Sequence, residues 1–159
     1  MYGLKNIFTV CFFGHREVDN YQLAESKTYE IVADLIRNKE YVDFLVGRNG
    51  EFDQIVSSAV KKAQRNVFHA NSSLILVLPY LTAEYRDNVD SFDDYYDNVE
   101  IMEDKDTHFK AAIQKRNREM VDRSDLCVFY VDHNSGGAYQ TMKYAEKQGK
   151  EIVNIAIRK

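Results

Sequence analysis

Hydrophobic residues are distributed along this chain in two alternating patterns. Short runs that are apolar at nearly every position are typical of strands buried on both faces, and they cover residues 7–13, 41–46, 73–78, 125–131 and 151–156. Between them, apolar residues recur every three or four positions, as in amphipathic helices. Those segments lie at about residues 21–38, 52–67, 109–121 and 138–147.

The repeated strand and helix order predicts an α/β fold with a mostly parallel, five-stranded sheet and helices on both faces. The chain has 159 residues, which is the size of one domain, so we treat residues 1–159 as a single domain. Residues from about 80 to 107 interrupt the alternation. We expect them to form a long excursion that includes a short helix.

The charge of the chain is unevenly distributed. The formal net charge is −4, but residues 84–106 hold ten acidic and two basic residues, a local charge of −8. The remaining residues therefore carry +4. A mildly basic body favours an anionic ligand, whereas the acidic excursion and the small excess of basic residues lead us to expect that nucleic acid is not a partner.

The composition also bears on where the protein acts. No apolar run approaches the roughly 20 residues that a membrane-spanning helix needs, so no membrane association is expected. The first residues lack the basic and apolar regions of a secretory signal. Cys11 and Cys127 lie in apolar runs, where cysteines are usually buried thiols. We therefore expect a cytoplasmic protein.

Candidate ligand-binding residues follow the predicted strands. In parallel α/β sheets, ligands bind at the carboxyl ends of the strands, where glycine turns and helix N-termini can hold phosphate and arginine can pair with it. The ordinary alternatives are turn glycines, a first-turn acid and a serine cap. The candidates in the loops after the first, second and fourth strands are Gly14, His15, Arg16, Gly47, Gly50, Asp53, Ser135, Gly136, Gly137 and Ala138.

Four further candidates lie outside those loops. Pro79 and Tyr80, which follow the third strand, could flank a base, and Arg116 and Asn117 could reach the site from a helix. For catalysis the candidates are carboxylates, Asp53 or Asp132. No CxxC, HExxH or local cluster of cysteine and histidine is present, so no dedicated metal site is expected.

Several of these segments, taken in order, resemble the YpsA-like proteins of the SLOG superfamily. Residues 11–16, CFFGHR, are similar to the FxGHR opening of that family, and residues 47–53, GRNGEFD, to its glycine-containing turn. Residues 116–125, the turn 135–138 and residues 144–150 resemble its closing half. The resemblance implies a Rossmann-like three-layer sandwich with a nucleotide pocket. Wider relatives include Lonely Guy phosphoribohydrolases, DprA proteins and ligand-sensing modules.

Three functions are compatible with these residues. The first is binding or sensing of a nucleotide or nucleotide-derived ligand, ADP-ribose-like or NAD-like, with no other cofactor implied. The second is an N-glycosidase or phosphoribohydrolase. Against it, aligning the Lonely Guy motif PGGxGTxxE with Gly136 and Gly137 places its glutamate on Lys143. The third is handling of single-stranded DNA, as in DprA. Aromatic residues on the helices make a homo-oligomer compatible with the sequence.

Overall fold

The computed structural model describes residues 6–67, 69–102 and 108–157 and contains six strands and six helices in these ranges. The strands are β1 Ile7–Gly14, β2 Tyr41–Val46, β3 Ser72–Leu78, β4 Asn98–Ile101, β5 Leu126–Tyr130 and β6 Glu151–Asn154. The helices are α1 Tyr21–Asn38, α2 Glu51–Asn66, α3 Ala83–Asp87, α4 Val89–Tyr95, α5 Phe109–Asp122 and α6 Gly137–Lys147.

All six strands form one parallel sheet in the order β4-β3-β2-β1-β5-β6. The strand order reverses between β1 and β5, because β2 to β4 extend the sheet on one side of β1 and β5 and β6 extend it on the other. The α/β prediction is confirmed, with one more strand than the five expected. Ligands of such sheets bind outside the carboxyl ends at this reversal.

Successive residues of β1 face opposite sides of the sheet, as the two-residue period of a strand requires. Val10 and Phe12 belong to one buried cluster, which includes residues of α1 and α2. Cys11 and Phe13 belong to the other, which includes residues of α5 and α6. The molecule is therefore a three-layer sandwich. Cys11 and Cys127 are buried, free thiols, as their apolar surroundings predict.

The acidic excursion contains more regular secondary structure than the single short helix predicted from its sequence. It forms the short helices α3 and α4, and then β4, which pairs with β3 from Ile75↔Asn98 to Leu78↔Ile101. Asp97 begins this pairing, because its carboxylate accepts from the backbone N–H of Leu74 at 2.7 Å and its own N–H donates to the Leu74 carbonyl at 2.9 Å. The residues of the excursion from 103 to 107 lie outside the described ranges.

The length and composition of the helices show whether one of them could cross a membrane. In the described parts of the chain, none combines the length and the apolar character that crossing a bilayer requires.

Candidate functional site

A cavity of about 490 Å³ opens at the carboxyl edge of the sheet, beside the point where the strand order reverses. The loops after β1 and β2, one face of α5 and the N-terminus of α6 surround it. Its lining residues are Phe13, Gly14, His15, Arg16, Gly47, Asn49, Asp53, Lys110, Ile113, Gln114, Arg116, Asn117, Gly136, Gly137, Ala138 and Gln140. The lining carries three cationic side chains and one carboxylate, although the protein as a whole is acidic.

Arg116 is the most unusual member of this lining, because it is a cation with only 3% of its surface exposed. Its Nε donates to Asn117 Oδ1 at 3.0 Å and its Nη1 to the Val77 carbonyl at 3.2 Å. Burial lowers the pKa of its guanidinium, and the Asp53 charge opposes that shift. None of the ion pairs found among the described residues involves Arg116, so its hydrogen-bond partners are neutral oxygens and the Asp53 carboxylate acts on it from beyond ion-pair distance.

The loop after β2 is shaped around this guanidinium. A Cβ on Gly47 would lie 3.2 Å from Arg116 Nη1, which is tighter than most side-chain contacts. With the Asn49 amide turned so that its oxygen faces the arginine, that oxygen accepts from Arg116 Nη2 at 2.9 Å. Gly47 and Asn49 therefore leave room for a buried cation and help to hold it at the cavity.

Asp53, in the first turn of α2, is the only carboxylate among the described residues that line the cavity. One of its oxygens accepts from the backbone N–H of Asn49 at 2.7 Å, which closes the loop. Burial raises the pKa of this carboxyl, while the Asn49 N–H and the Arg116 charge act in the opposite direction. The Asn49 N–H is thus used within the protein.

Two candidate glycines are explained by packing between segments of the chain. A Cβ on Gly14 would lie 2.5 Å from the Phe52 side chain, and one on Gly50 would lie 2.6 Å from Arg16 Cα. The Glu51 N–H also donates to the Arg16 carbonyl at 2.9 Å. These contacts join the first two loops, and Gly50 does not line the cavity, contrary to our expectation.

The third phosphate-binding candidate is the N-terminus of α6. Its cap, Gly136, has φ 92° and ψ 174°, and no side chain caps the first backbone N–H groups. Such groups have no partner within their own helix and attract anions. Gly136, Gly137 and Ala138 all line the cavity. Ser135, whose hydroxyl we expected to assist, is exposed and does not line it.

His15 lines the cavity and also contacts Asp132 and His133 in the loop after β5. Its ring stacks on that of His133, with centroids 3.7 Å apart, and its Nε2 accepts from the backbone N–H of Asp132 at 3.2 Å. One oxygen of the Asp132 carboxylate is near a nitrogen of each ring, 3.5 Å from His15 Nε2 and 2.5 Å from His133 Nδ1. Asp132, a catalytic candidate, does not line the main cavity.

The other sequence candidates divide between the cavity and its surroundings. Asn117 lines it and donates to Thr141 Oγ1 at 3.1 Å, which joins α5 to α6. Pro79 is buried outside the lining, and Tyr80 lies outside it with 36% of its surface exposed. Both were expected to flank a base, and the cavity does not include them.

Sequence analysis missed six of the lining residues: Phe13, Asn49, Lys110, Ile113, Gln114 and Gln140. A signal for two of them, Lys110 and Gln114, was available on α5, because they continue the spacing of the candidate Asn117. Lys110, Gln114 and Asn117 are spaced four and three residues apart, so they share one face of the helix. A polar stripe of this kind usually faces solvent, but here it faces a ligand-sized cavity.

Comparisons with known proteins add evidence on the fold. No family model matches the sequence, and the curated proteins contain no significant match to it. A solved structure of DNA processing protein A from Helicobacter pylori is similar to the chain, with a TM-score of 0.62 and 16% sequence identity. The fold is Rossmann-like, as in that protein. The similarity covers 91% of this chain and 63% of the other, and that protein is described as binding single-stranded DNA.

This similarity corrects one expectation. We inferred from the acidic excursion and the small basic excess that nucleic acid is not a partner, and that inference is wrong because a protein with this fold binds single-stranded DNA. The physical reason is that net charge averages over the whole surface. Three cations of this chain surround one cavity, whereas the acidic residues cluster in α3, α4 and β4.

Proposed function

We propose that the cavity binds a nucleotide through its phosphate, and that this nucleotide is a unit of single-stranded DNA or a free nucleotide. The observation that carries the proposal is Arg116, a buried guanidinium at a cavity and outside every ion pair of the described residues. A buried charge is costly unless it is compensated. An anionic ligand would supply that compensation.

The groups around Arg116 suit a phosphate ester. The N-terminus of α6 offers uncapped backbone N–H groups, which complement the guanidinium fork. Arg16 and Lys110 add positive charge at the exposed side of the cavity. Gln114, Asn117 and Gln140 add side-chain amides that can donate to and accept from a sugar or a base.

The source of the nucleotide is the second part of the proposal. The similarity to DNA processing protein A favours single-stranded DNA, with one unit in the cavity and its neighbours along the open edge. The resemblance to YpsA-like proteins instead favours a free ligand, such as ADP-ribose or NAD. Both sources share the phosphate chemistry, and they differ in dependence on strand length and on salt.

The test compares Arg116→Met with Arg118→Met, a control on the exposed face of the same helix. The probes are a labelled oligothymidylate, followed by fluorescence anisotropy, and AMP, ADP-ribose and NAD, followed by thermal shift. We expect Arg116→Met to lower affinity by about 10- to 100-fold, since a charged hydrogen-bonding group contributes about 1.5–3 kcal/mol, and Arg118→Met to bind like the parent.

The outcomes separate the two sources. Binding of the oligonucleotide that weakens steeply with salt indicates DNA, whereas stabilisation by a mononucleotide alone indicates the free ligand. Equal binding by parent and Arg116→Met, or no binding of any probe to the parent, would overturn the proposal.

A hydrolase acting at the same cavity is a second candidate, because Asp53 is a cavity-lining carboxyl whose pKa is raised by burial. Acids of this kind can protonate a leaving group or stabilise an oxocarbenium ion. Incubation with AMP and NAD, followed by chromatography, would reveal a released base. Release that is lost in Asp53→Asn supports turnover, and its absence from the parent contradicts this candidate.

A further inference from the structure

A second cavity adjoins His15, and Arg116 is not in its lining. It has a volume of about 300 Å³ and is lined by His15, Arg16, Glu17, Asp19, Asp132 and His133. Three carboxylates and two imidazoles therefore line a space that contains one permanently cationic side chain. This balance of charge favours a cation, the opposite of the main cavity.

Three atoms in this cavity are close enough to coordinate one ion. His15 Nε2 is 3.5 Å from Asp132 Oδ1, His133 Nδ1 is 2.5 Å from the same oxygen, and all three atoms lie within 4.8 Å of one another. Tetrahedral zinc with bonds of about 2.0–2.1 Å has neighbouring ligand atoms about 3.3–3.4 Å apart. The first distance already matches that spacing, and the second has to widen by about 0.8 Å.

We infer that His15, Asp132 and His133 bind a divalent transition cation of the Zn²⁺ or Co²⁺ type. Two imidazoles and one carboxylate form a donor set that binds such ions in preference to Mg²⁺ or Ca²⁺, which favour oxygen ligands. Three protein ligands leave a fourth position for water. The inference does not rest on the nucleotide proposal, because Arg116 takes no part in it, although His15 lines both cavities.

Burial divides the three ligands into a fixed pair and a movable third. The side chains of His15 and Asp132 are only 8% and 7% exposed, and the backbone N–H of Asp132 donates to His15 Nε2. The His133 side chain is 51% exposed and belongs to the loop after β5. His15 and Asp132 thus form the buried part of the site, where the cation would take the place of the Asp132 N–H at the His15 Nε2 lone pair. His133 completes it.

Coordination requires a defined movement of His133. An imidazole binds a metal in the plane of its ring along the nitrogen lone pair, so two rings on one ion have crossing planes. The His15 and His133 rings are instead stacked, with 13° between their planes. The half-exposed His133 ring must therefore turn out of the stack, and its Nδ1 must carry no proton when it coordinates the cation.

The fold explains why no short sequence motif marks this site. His15 follows β1, and Asp132 and His133 follow β5, more than a hundred residues later in the chain. The two strands are neighbours in the sheet, with Gly14 paired to Tyr130. The parallel pairing therefore places both loops side by side, and it would do so for any residues at these positions.

The test measures Zn²⁺ affinity by calorimetry, and Co²⁺ binding by its visible absorption, in the parent, His133→Ala and His69→Ala. Both replaced histidines are exposed, so neither variant should unfold, and His69 lies at the other edge of the sheet. We expect His133→Ala to lose about tenfold or more in affinity, since even the loss of an outer partner of a ligand costs 10–100-fold, and His69→Ala to match the parent.

Two results would overturn the inference. One is equal Zn²⁺ affinity in the parent and in His133→Ala, which would place bound metal elsewhere. The other is a parent that shows no saturable binding of Zn²⁺ or Co²⁺. Asp132→Asn provides a second check, because the amide keeps the shape of the carboxylate but is a much poorer ligand, so its affinity should fall at least as far as that of His133→Ala.

Discussion

Arg48, from the loop after β2, holds Glu84 at the start of the acidic excursion, with Nε 2.8 Å from Oε1. The same guanidinium donates to the Tyr96 hydroxyl at 3.0 Å and lies 4.7 Å from the centre of the Phe92 ring. One side chain therefore joins the loop that helps to form the main cavity to both short helices of the excursion.

Arg48→Ala should destabilise the protein by about 0.5–2 kcal/mol, because an exposed ion pair contributes about 0–1 kcal/mol and a cation–π contact about 0.5–1 kcal/mol. Urea unfolding measures the change. Arg86→Ala is the control, since its ion pair with the adjacent Asp87 is largely exposed and should contribute less than about 0.5 kcal/mol. Equal losses in both variants would show that Arg48 does not anchor the excursion.

Asp97→Ala should cost about 1–3 kcal/mol of unfolding free energy, because it leaves the Leu74 N–H without its acceptor at the start of the β3–β4 pairing. Asp97→Asn keeps an acceptor oxygen at the same position and should lose less. Urea unfolding measures both, and hydrogen exchange at β4 should rise most in the alanine variant. Unchanged protection of β4 in Asp97→Ala would contradict the assigned role.

Asp53→Asn should be more stable than the parent at neutral pH. Burial raises the pKa of Asp53 in the folded protein, so ionisation costs stability as the pH rises from the ordinary pKa of about 4 through the raised value, and the full cost is present above it. Asparagine can still accept from the Asn49 N–H. The urea unfolding midpoints of the parent and of Asp53→Asn, measured across a pH series, should converge at or below about pH 4. An Asp53→Asn variant that is less stable than the parent at neutral pH would contradict this prediction.

Gly136→Ala should destabilise the protein by about 1–3 kcal/mol, because φ 92° with ψ 174° is a backbone region that almost only glycine occupies. A Cβ there would meet no atom within 4 Å, so the cost comes from the backbone alone. Gly149→Asn is a milder change at φ 71°, a value that asparagine tolerates. The thermal unfolding temperature of Gly136→Ala should be lower than that of Gly149→Asn, and the reverse order would exclude backbone strain as the cause.

The sequence pattern was sufficient for the parts of the fold that depend on long apolar periods. The helix predicted at residues 21–38 and the strand at 41–46 have the bounds observed for α1 and β2. Strand β4 was missed because its four residues, Asn98–Ile101, are too few to establish a period and lie among acidic residues. Its existence depends on the edge of β3, more than twenty residues earlier, to which the adjacent Asp97 side chain binds at Leu74.

The candidate site was predicted where it depends on chain topology and missed where it depends on side-chain direction. The loops after β1 and β2 and the N-terminus of α6 meet at one edge because parallel strands end together. Sequence alone could not show that Gly14 is required by Phe52, or that the Gln114 side chain faces a cavity. Those facts depend on distances between elements that are far apart in the chain.

The central strand β1 pairs with one strand that is close in the sequence, β2, and with one that is distant, β5. Its register with β2 pairs Ile7 with Tyr41, whereas its register with β5 pairs Val10 with Leu126. Asp125 secures the distant pairing, since its carboxylate accepts from the Thr9 N–H and its own N–H donates to the Thr9 carbonyl. Contacts between distant residues generally form late in folding. We therefore expect both cavities to be completed only after β5 and the N-terminus of α6 have joined β1, so ligand binding would report that these distant segments have assembled.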